Sequence, residues 1–429
     1  MKAWLPYVVP SKSQRVTVDV GDLRRLTVLV GPNASGKTSV LESVGYLLAA
    51  CQDAWGQAIA TSLASTLRPS RLVPGLVAVS GLLGDTVLSS LYVRPGIADP
   101  EVLEDTGWVL GRVVGVDHEV IEALANDAKT LETFITSIQK EKNLGSRSQI
   151  MDVGEKFFEL ASEVLGEKLS VARAPKIPGI RVSELVSKPT IHADIFTALH
   201  DWYPIYVVYT LASGELLSKS IVLDLFDDLL VIKRESKRVA PGIVVFHPWF
   251  AFWHGGFESL HYDLVGSRGL PNEEKAIELL REYIPWFGGF DLVYDTLFVK
   301  TPGGGRLPVY SLSDGQRVAV FLGMLYAAER RGSVFLVDMP EAYVHPDGLP
   351  IMGKLLAQLV AEGEQVLVTT QSLSLVKTLL KAAKSQEILE DTVVAELGID
   401  EKGCVRPFAE WSGAASERSI ADLSADLKS

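Results

Sequence analysis

Apolar and polar positions along the chain fall into two periods, and their order lays out the elements. Near the start, Arg15–Val20 and the apolar run Leu26-Thr27-Val28-Leu29-Val30 predict strands, and a helix is predicted from Ser39 to about Ala50. Leu76–Ser80 and Thr86–Val93 are rich in strand formers and flank Gly-Leu-Leu-Gly-Asp, which predicts a hairpin. Between Asp117 and Lys140 the positions Val120, Leu124, Leu131, Ile135 and Ile138 keep helical spacing. A second helix is predicted over Met151–Lys168, with Phe157, Leu160, Ala161, Val164 and Leu165 inward. Further helical pieces are predicted at Ile191–Trp202 and Ile221–Leu230. None of them sustains three or four heptads, so a compact helical insert is expected rather than a long coiled-coil arm.

From Pro241 onward, strands alternate with helices. Ile243–Phe246 reads as a short buried strand, and Leu292–Lys300 and Leu307–Tyr310 flank the turn Thr-Pro-Gly-Gly-Gly. A helix over Gly315–Arg330, a strand over Ser333–Asp338, a helix over Pro350–Ala361 and a strand over Gln365–Thr370 follow. The last pair is a helix over Leu373–Lys384 and a strand over Thr392–Glu396. This alternation predicts an α/β fold with a mostly parallel sheet covered on both faces. Three regions are expected: an N-terminal lobe over 1–95 with an antiparallel hairpin, a mostly helical insertion over 96–240, and a C-terminal α/β lobe over 241–429. No internal repeat or low-complexity tract is visible.

Composition narrows the class. The 429 residues are 47% hydrophobic, enough for a substantial core. Two cysteines, Cys51 and Cys404, are too few for a disulfide framework, so a reducing, cytoplasmic setting is expected. The segment Met1-Lys2-Ala3-Trp4-Leu5-Pro6 lacks the apolar stretch of a signal peptide. Leu72–Val93 carries a single charge, Asp85, but Pro74, Gly75, Gly81 and Gly84 interrupt it, so a hairpin is expected there and not a membrane span. A net charge of −12 gives no global attraction for nucleic acid. The densest basic stretch is Lys233-Arg234-Glu235-Ser236-Lys237-Arg238, which reads first as a solvated loop and second as a local DNA contact.

The chemistry begins at Gly31-Pro32-Asn33-Ala34-Ser35-Gly36-Lys37-Thr38, which is G-x-x-x-x-G-K-[ST] between a strand and a helix. Its small residues let consecutive backbone N–H groups curl around a polyphosphate, and the helix that begins near Ser39 adds its positive end. Lys37 then reaches the β/γ-phosphates and Thr38 holds Mg²⁺, which implies a nucleoside triphosphate as ligand. Three more segments carry polar groups. Leu312-Ser313-Asp314-Gly315-Gln316 opens a helix, as an anion site or as a simple N-cap at Ser313. Val334–Asp338 is an apolar strand that ends in an acid suited to Mg²⁺. Val366–Thr370 ends in Thr369-Thr370-Gln371-Ser372, groups suited to sensing a γ-phosphate. Either strand alone also reads as plain core.

Taken together, these segments resemble the ABC-type P-loop ATPases: Walker A at Gly31–Thr38, signature at Leu312–Gln316, Walker B at Val334–Asp338 and switch at Thr369–Ser372. Asp338-Met339-Pro340-Glu341-Ala342-Tyr343-Val344-His345-Pro346 is similar to the D-E-P-E-x-x-L-H-P segment of the OLD-like ATPases, relatives of RecF and SMC heads. The resemblance covers about 1–95 and 241–398 and leaves the insert unmatched. It implies ATP and Mg²⁺ as cofactors, held by Gly31, Asn33, Ala34, Ser35, Gly36, Lys37, Thr38 and Ser39, with Thr38 and Asp338 on the metal. It also implies an ATP-driven homodimer in which Ser313, Gly315 and Gln316 act on nucleotide bound by the other copy.

Two departures bear on catalysis. The family carries Glu after the Walker B Asp, where this chain has Met339, and its switch His is here Gln371. Lys37, Gln371 and Glu341 are the remaining catalytic candidates, although the family gives its own Glu at the Glu341 position another role. Slow ATP hydrolysis is the expectation. The resemblance implies work in DNA maintenance or defence, with DNA as a partner. OLD proteins end in a Toprim nuclease, for which the 38 residues from Thr392 are too few, so any nuclease or effector is expected on a separate chain. The competing readings are an ABC transporter subunit and a non-hydrolysing ATP switch. The transporter is disfavoured by the 276 positions separating Lys37 from Ser313 and by the Glu-Ala-Tyr-Val-His-Pro segment. Gln52, Gln57 and Gln149 are candidates for the family's Q-loop glutamine.

Overall fold

A computed structural model describes residues 2–5, 16–21, 23–50, 76–83, 86–93, 118–140, 145–166, 169–174, 189–200, 205–213, 215–224, 229–234, 243–246, 270–293, 296–328, 332–401 and 404–413. The chain forms two compact units: Val20–Leu41 with Pro241–Ser429, and Met1–Asp19 with Glu42–Ala240.

The first unit is the α/β one. Its strands β3 (Leu26–Val30), β10 (Ile243–Phe246), β14 (Val334–Asp338), β15 (Gln365–Thr370), β16 (Thr392–Ile399) and β17 (Val405–Ser412) lie in the order β10-β14-β15-β3-β16-β17. Every pair from β10 to β16 is parallel, and only β16–β17 is antiparallel. Parallel strands need helices on their faces, which is why β3 and β14 read as unbroken apolar runs and are buried throughout. Helices α5 (Glu273–Arg281), α6 (Asp314–Ala327), α7 (Leu349–Ala361) and α8 (Leu373–Ser385) pack around Val28, Val30, Val337, Val366 and Val368. Strands β11 (Gly289–Val293), β12 (Thr296–Lys300) and β13 (Arg306–Pro308) form a small antiparallel sheet. The one strand predicted over Leu292–Lys300 is therefore split between β11 and β12.

The second unit holds an antiparallel sheet. Its strands are β1 (Lys2–Leu5), β2 (Val16–Asp19), β4 (Leu76–Leu83), β5 (Thr86–Val93), β6 (Leu169–Ala174), β7 (Ile205–Ala212), β8 (Glu215–Asp224) and β9 (Leu229–Arg234), in the order β2-β1-β4-β5-β7-β8-β9-β6. Helices α2 (His118–Lys140), α3 (Arg147–Leu165) and α4 (Pro189–His200) share a core with β7, β8 and β9. Leu124, Leu131, Phe157 and Ile195 meet Val207, Leu211, Ile221, Leu223 and Ile232 there.

Two expectations change. Among the described residues the insertion carries four strands beside its three helices: the helix predicted over Ile221–Leu230 is replaced by β8 and β9, paired from Ser220↔Lys233 to Asp224↔Leu229. A short apolar run such as Ile221-Val222-Leu223 has no periodicity of its own, and its β-branched residues and the neighbouring strand decide. The boundaries move as well. Hairpin β4–β5, read with the N-terminal lobe, pairs through β5 with β7 and groups with the insertion. Helix α1 (Lys37–Ala50) contains the boundary between the units. The hairpin expected in Leu72–Val93 is present as β4–β5, paired from Leu76↔Val93 to Leu83↔Thr86. Among the described residues no helix is long and apolar enough to cross a membrane.

Candidate functional site

The site lies at the carboxyl ends of β3, β14 and β15, where the parallel register sets Asp338 beside Thr369 and Thr370 beside Val30. The loop after β3 turns through positive φ at Gly31 (150°), Ala34 (62°) and Gly36 (88°). Two of these positions have no room for a side chain. A Cβ on Gly31 would stand 2.6 Å from the Leu397 carbonyl oxygen, and one on Gly36 would stand 2.4 Å from Val405 Cγ2. The β16–β17 hairpin thus backs the loop, a role that the motif alone does not disclose.

Lys37 opens α1 with its ammonium folded over the loop. Nζ donates to the carbonyls of Gly31 (2.8 Å) and Pro32 (2.6 Å) and to Ser35 Oγ (3.3 Å). The side chain is buried, and burial pushes its pKa below the usual lysine value, against the opposing pull of the Asp338 and Glu341 carboxylates. A desolvated cation at the start of a helix suits an incoming polyanion.

The next residue, Thr38, places Oγ1 3.2 Å and 3.3 Å from the two Asp338 carboxylate oxygens. Thr369 donates its hydroxyl to Asp338 Oδ1, and Thr369 Oγ1 accepts from Met339 N at 3.0 Å. Hard oxygen donors from a hydroxyl and a fixed carboxylate fit a Mg²⁺ that takes its remaining ligands from phosphate and water.

Beyond Asp338 the chain bends sharply, with Met339 at φ 42° and Tyr343 at φ 74°. Met339 contributes a thioether, 3.7 Å from Gln371 Nε2. Gln371 Nε2 also donates to Asn33 Oδ1, linking the switch segment to the phosphate loop. Glu341 Oε1 accepts from Thr370 Oγ1 (2.6 Å) and from Gln371 N (2.9 Å). The structure therefore brings Asn33, Ser35, Lys37, Thr38, Asp338, Glu341 and Gln371 into one hydrogen-bonded neighbourhood. Ala34 and Ser39 lie in the same loop and first helical turn.

Ser313, Gly315 and Gln316 form a second cluster at the start of α6. Ser313 is the N-cap, and its N–H donates to Gln316 Oε1 at 3.2 Å. A Cβ on Gly315 would come within 2.9 Å of Tyr283 Oη and 3.3 Å of the Tyr343 carbonyl. Thr369 and Thr370, expected from the sequence as groups suited to sensing a γ-phosphate, fix the two carboxylates of Asp338 and Glu341. Their signal was only the polar end of β15. Among the Q-loop candidates, Gln149 belongs to a capping box at the start of α3, with Ser146 N donating to its Oε1 at 3.1 Å. Gln52 and Gln57 lie outside the described residues.

Residues 257–377 match the family model described as "AAA domain, putative AbiEii toxin, Type IV TA system". That stretch carries the Ser313, Asp338, Glu341 and Gln371 segments but not Gly31–Thr38. No curated protein matches the chain. Among solved structures, an Smc head bound to the C-winged helix domain of ScpA is 11% identical, covers 96% of this chain and 97% of its own, and has a TM-score of 0.41. The SMC head domain from Thermotoga maritima is 11% identical, with coverage of 95% and 98% and a TM-score of 0.33. A Smc head domain with a coiled coil and joint from Pyrococcus yayanosii is 12% identical, with coverage of 99% and 99% and a TM-score of 0.38. The stretch over 257–377 is thus similar to an AAA domain, and the loop ahead of it bends through positive φ as a phosphate-binding loop does.

Proposed function

We propose that this protein binds Mg-ATP, that ATP draws two copies together head to head, and that hydrolysis is slow. The observation that carries this reading is the juxtaposition of the buried Lys37 ammonium with the Thr38–Asp338 pair at the mouth of a glycine-bent loop. Lys37 would bind the β/γ-phosphates, and Thr38 and Asp338 would hold Mg²⁺. Ser313, Gly315 and Gln316 would close over nucleotide held by the second copy. Met339 at the position of the family's general base supports slow turnover, since a thioether accepts no proton and any base must then act from another backbone position.

The Asp338–Pro346 segment supports placement with the OLD-like heads, and with it work in DNA maintenance or in defence against foreign DNA. Two cysteines in 429 residues support a cytoplasmic setting. A DNA partner requires a local basic patch. Lys233 and Arg234 belong to β9, between β6 and β8, so the basic stretch starts inside the sheet and not in a loop. Lys237 and Arg238 lie outside the described residues.

Calorimetric titration with Mg-ATP tests the reading. Lys37→Ala should weaken binding at least about tenfold, equivalent to ~1.4 kcal/mol. Affinity unchanged by this substitution would remove the phosphate-loop assignment.

A further inference from the structure

Two carboxylates stand close enough to Lys37 to act on its charge, Asp338 and Glu341. They are held very differently. Asp338 is engaged on both oxygens, by Thr38 and Thr369. Glu341 is anchored through one oxygen only. Oε1 takes the Thr370 hydroxyl and the Gln371 N–H, while Oε2 is buried with no hydrogen-bond partner among the described residues. A buried carboxylate oxygen without a donor is costly unless something polar is meant to meet it.

The backbone explains how the third residue after Asp338 comes to bond the end of β15 and the switch segment. Met339 sits in the left-handed region, which costs a non-glycine residue about 1–2 kcal/mol. Its N–H is tied to Thr369 on the neighbouring strand. Ala342 N donates to the Met339 carbonyl at 3.0 Å and Val344 N to the Glu341 carbonyl at 3.0 Å, so the segment closes in two consecutive turns. The Gln371 backbone holds Glu341, and its side chain holds Asn33 of the phosphate loop. Glu341 is thereby registered against the loop through a single residue.

We propose that Glu341 Oε2 is the proton acceptor for the attacking water in ATP hydrolysis, doing from three positions on what Met339 cannot do. The proposal rests on the ATPase reading above. In this step the water oxygen bonds to the γ-phosphorus as one of its protons passes to Oε2. The bond from the γ-phosphorus to the β–γ bridging oxygen breaks, its electron pair leaves with ADP, and inorganic phosphate remains. The neighbours cannot substitute. Lys37 is a cation, the Gln371 amide takes no proton, and Asp338 is committed to Thr38 and Thr369.

The test compares wild type, Glu341→Gln, Met339→Glu and the double variant by Mg-ATP calorimetry and single-turnover hydrolysis. Gln keeps the Oε1 acceptor for Thr370 and Gln371, so ATP affinity should stay within about twofold while the single-turnover rate falls at least about 100-fold. Met339→Glu should restore turnover in the Glu341→Gln background, because it supplies a carboxylate at the family position. Hydrolysis by Glu341→Gln at the wild-type rate would overturn the proposal while leaving the ATP site standing. So would a wild type that binds ATP without hydrolysing it. A wild type that binds no ATP would instead overturn the reading on which the proposal rests.

Discussion

Asp338 shows how much of this site is decided by single side chains. Its oxygens meet Thr38 from the loop that follows one parallel strand and Thr369 from the end of another. A carboxylate held by two hydroxyls is already oriented for a cation, so little ordering entropy is left to lose when Mg²⁺ arrives. Asp338→Asn keeps the shape and one acceptor oxygen but removes the charge. ATP affinity in that variant should lose most of its dependence on Mg²⁺ concentration, which titrations at several fixed Mg²⁺ levels would measure. An undiminished Mg²⁺ dependence would show that the cation is held elsewhere. At this scale the phosphate loop was legible, because its glycines and lysine are demanded by backbone geometry and charge wherever the loop occurs. The hold of Thr369 and Thr370 on the carboxylates was not. Their roles depend on which strand lies next to β14, and nothing local in Val-Thr-Thr-Gln-Ser states that.

At the scale of elements, β3, β14, β15 and the helices between them were legible in the sequence, because buried parallel strands and amphipathic helices leave strong patterns. It missed β17, whose outward residues Arg406, Phe408 and Glu410 alternate with the inward ones. It also misread β8. In the antiparallel unit one clasp joins four elements. Lys219 of β8 lies 2.5 Å from Asp127 of α2, donates to the Val164 carbonyl in the last turn of α3 at 2.6 Å, and sits beside the Tyr209 ring of β7. Tyr209 donates its hydroxyl to the same aspartate. A cation at a helix carboxyl end is also favoured by the helix dipole. Burial, and then the Asp127 charge, push the Tyr209 pKa above the ordinary value of about 10. An acid whose folded pKa is raised contributes stability that is complete below the unfolded value and is lost as pH rises beyond it. Tyr209→Phe should therefore unfold with a shallower loss of stability above pH ~10 than wild type, by one proton in the linkage slope. Lys219→Met should cost about 2 kcal/mol at neutral pH, since it strips a charged donor from Asp127. Thermal melts from pH 8 to 11 would show both effects, and identical alkaline limbs for Tyr209→Phe and wild type would refute the coupling.

Considered as a whole molecule, the chain carries two kinds of polar cluster, which the proposed second copy would bring together. The Gly31–Thr38 neighbourhood has cation, hydroxyls and carboxylates in mutual hydrogen-bond reach. The Ser313–Gln316 cluster is a helix start with a serine, a glycine and a glutamine, which is half of an anion site. Each copy also carries a net charge of −12, so two copies repel until something bridges them. If ATP and Mg²⁺ form that bridge, association follows ligand concentration by mass action, with about 2.7 kcal/mol gained at a hundredfold excess over the dissociation constant. Sedimentation should show monomer without nucleotide and dimer with Mg-ATP, most fully in Glu341→Gln, where hydrolysis no longer empties the site. Moderate salt should help the dimer form, since screening relieves the repulsion of like-charged copies. Ser313→Arg places a bulky cation at the α6 start and should block the dimer while Mg-ATP titration of the monomer and its melting temperature stay near wild type. A dimer that persists without nucleotide and ignores Ser313→Arg would show that the two copies meet through another surface, and that nucleotide bound at Lys37 is enclosed by one chain alone.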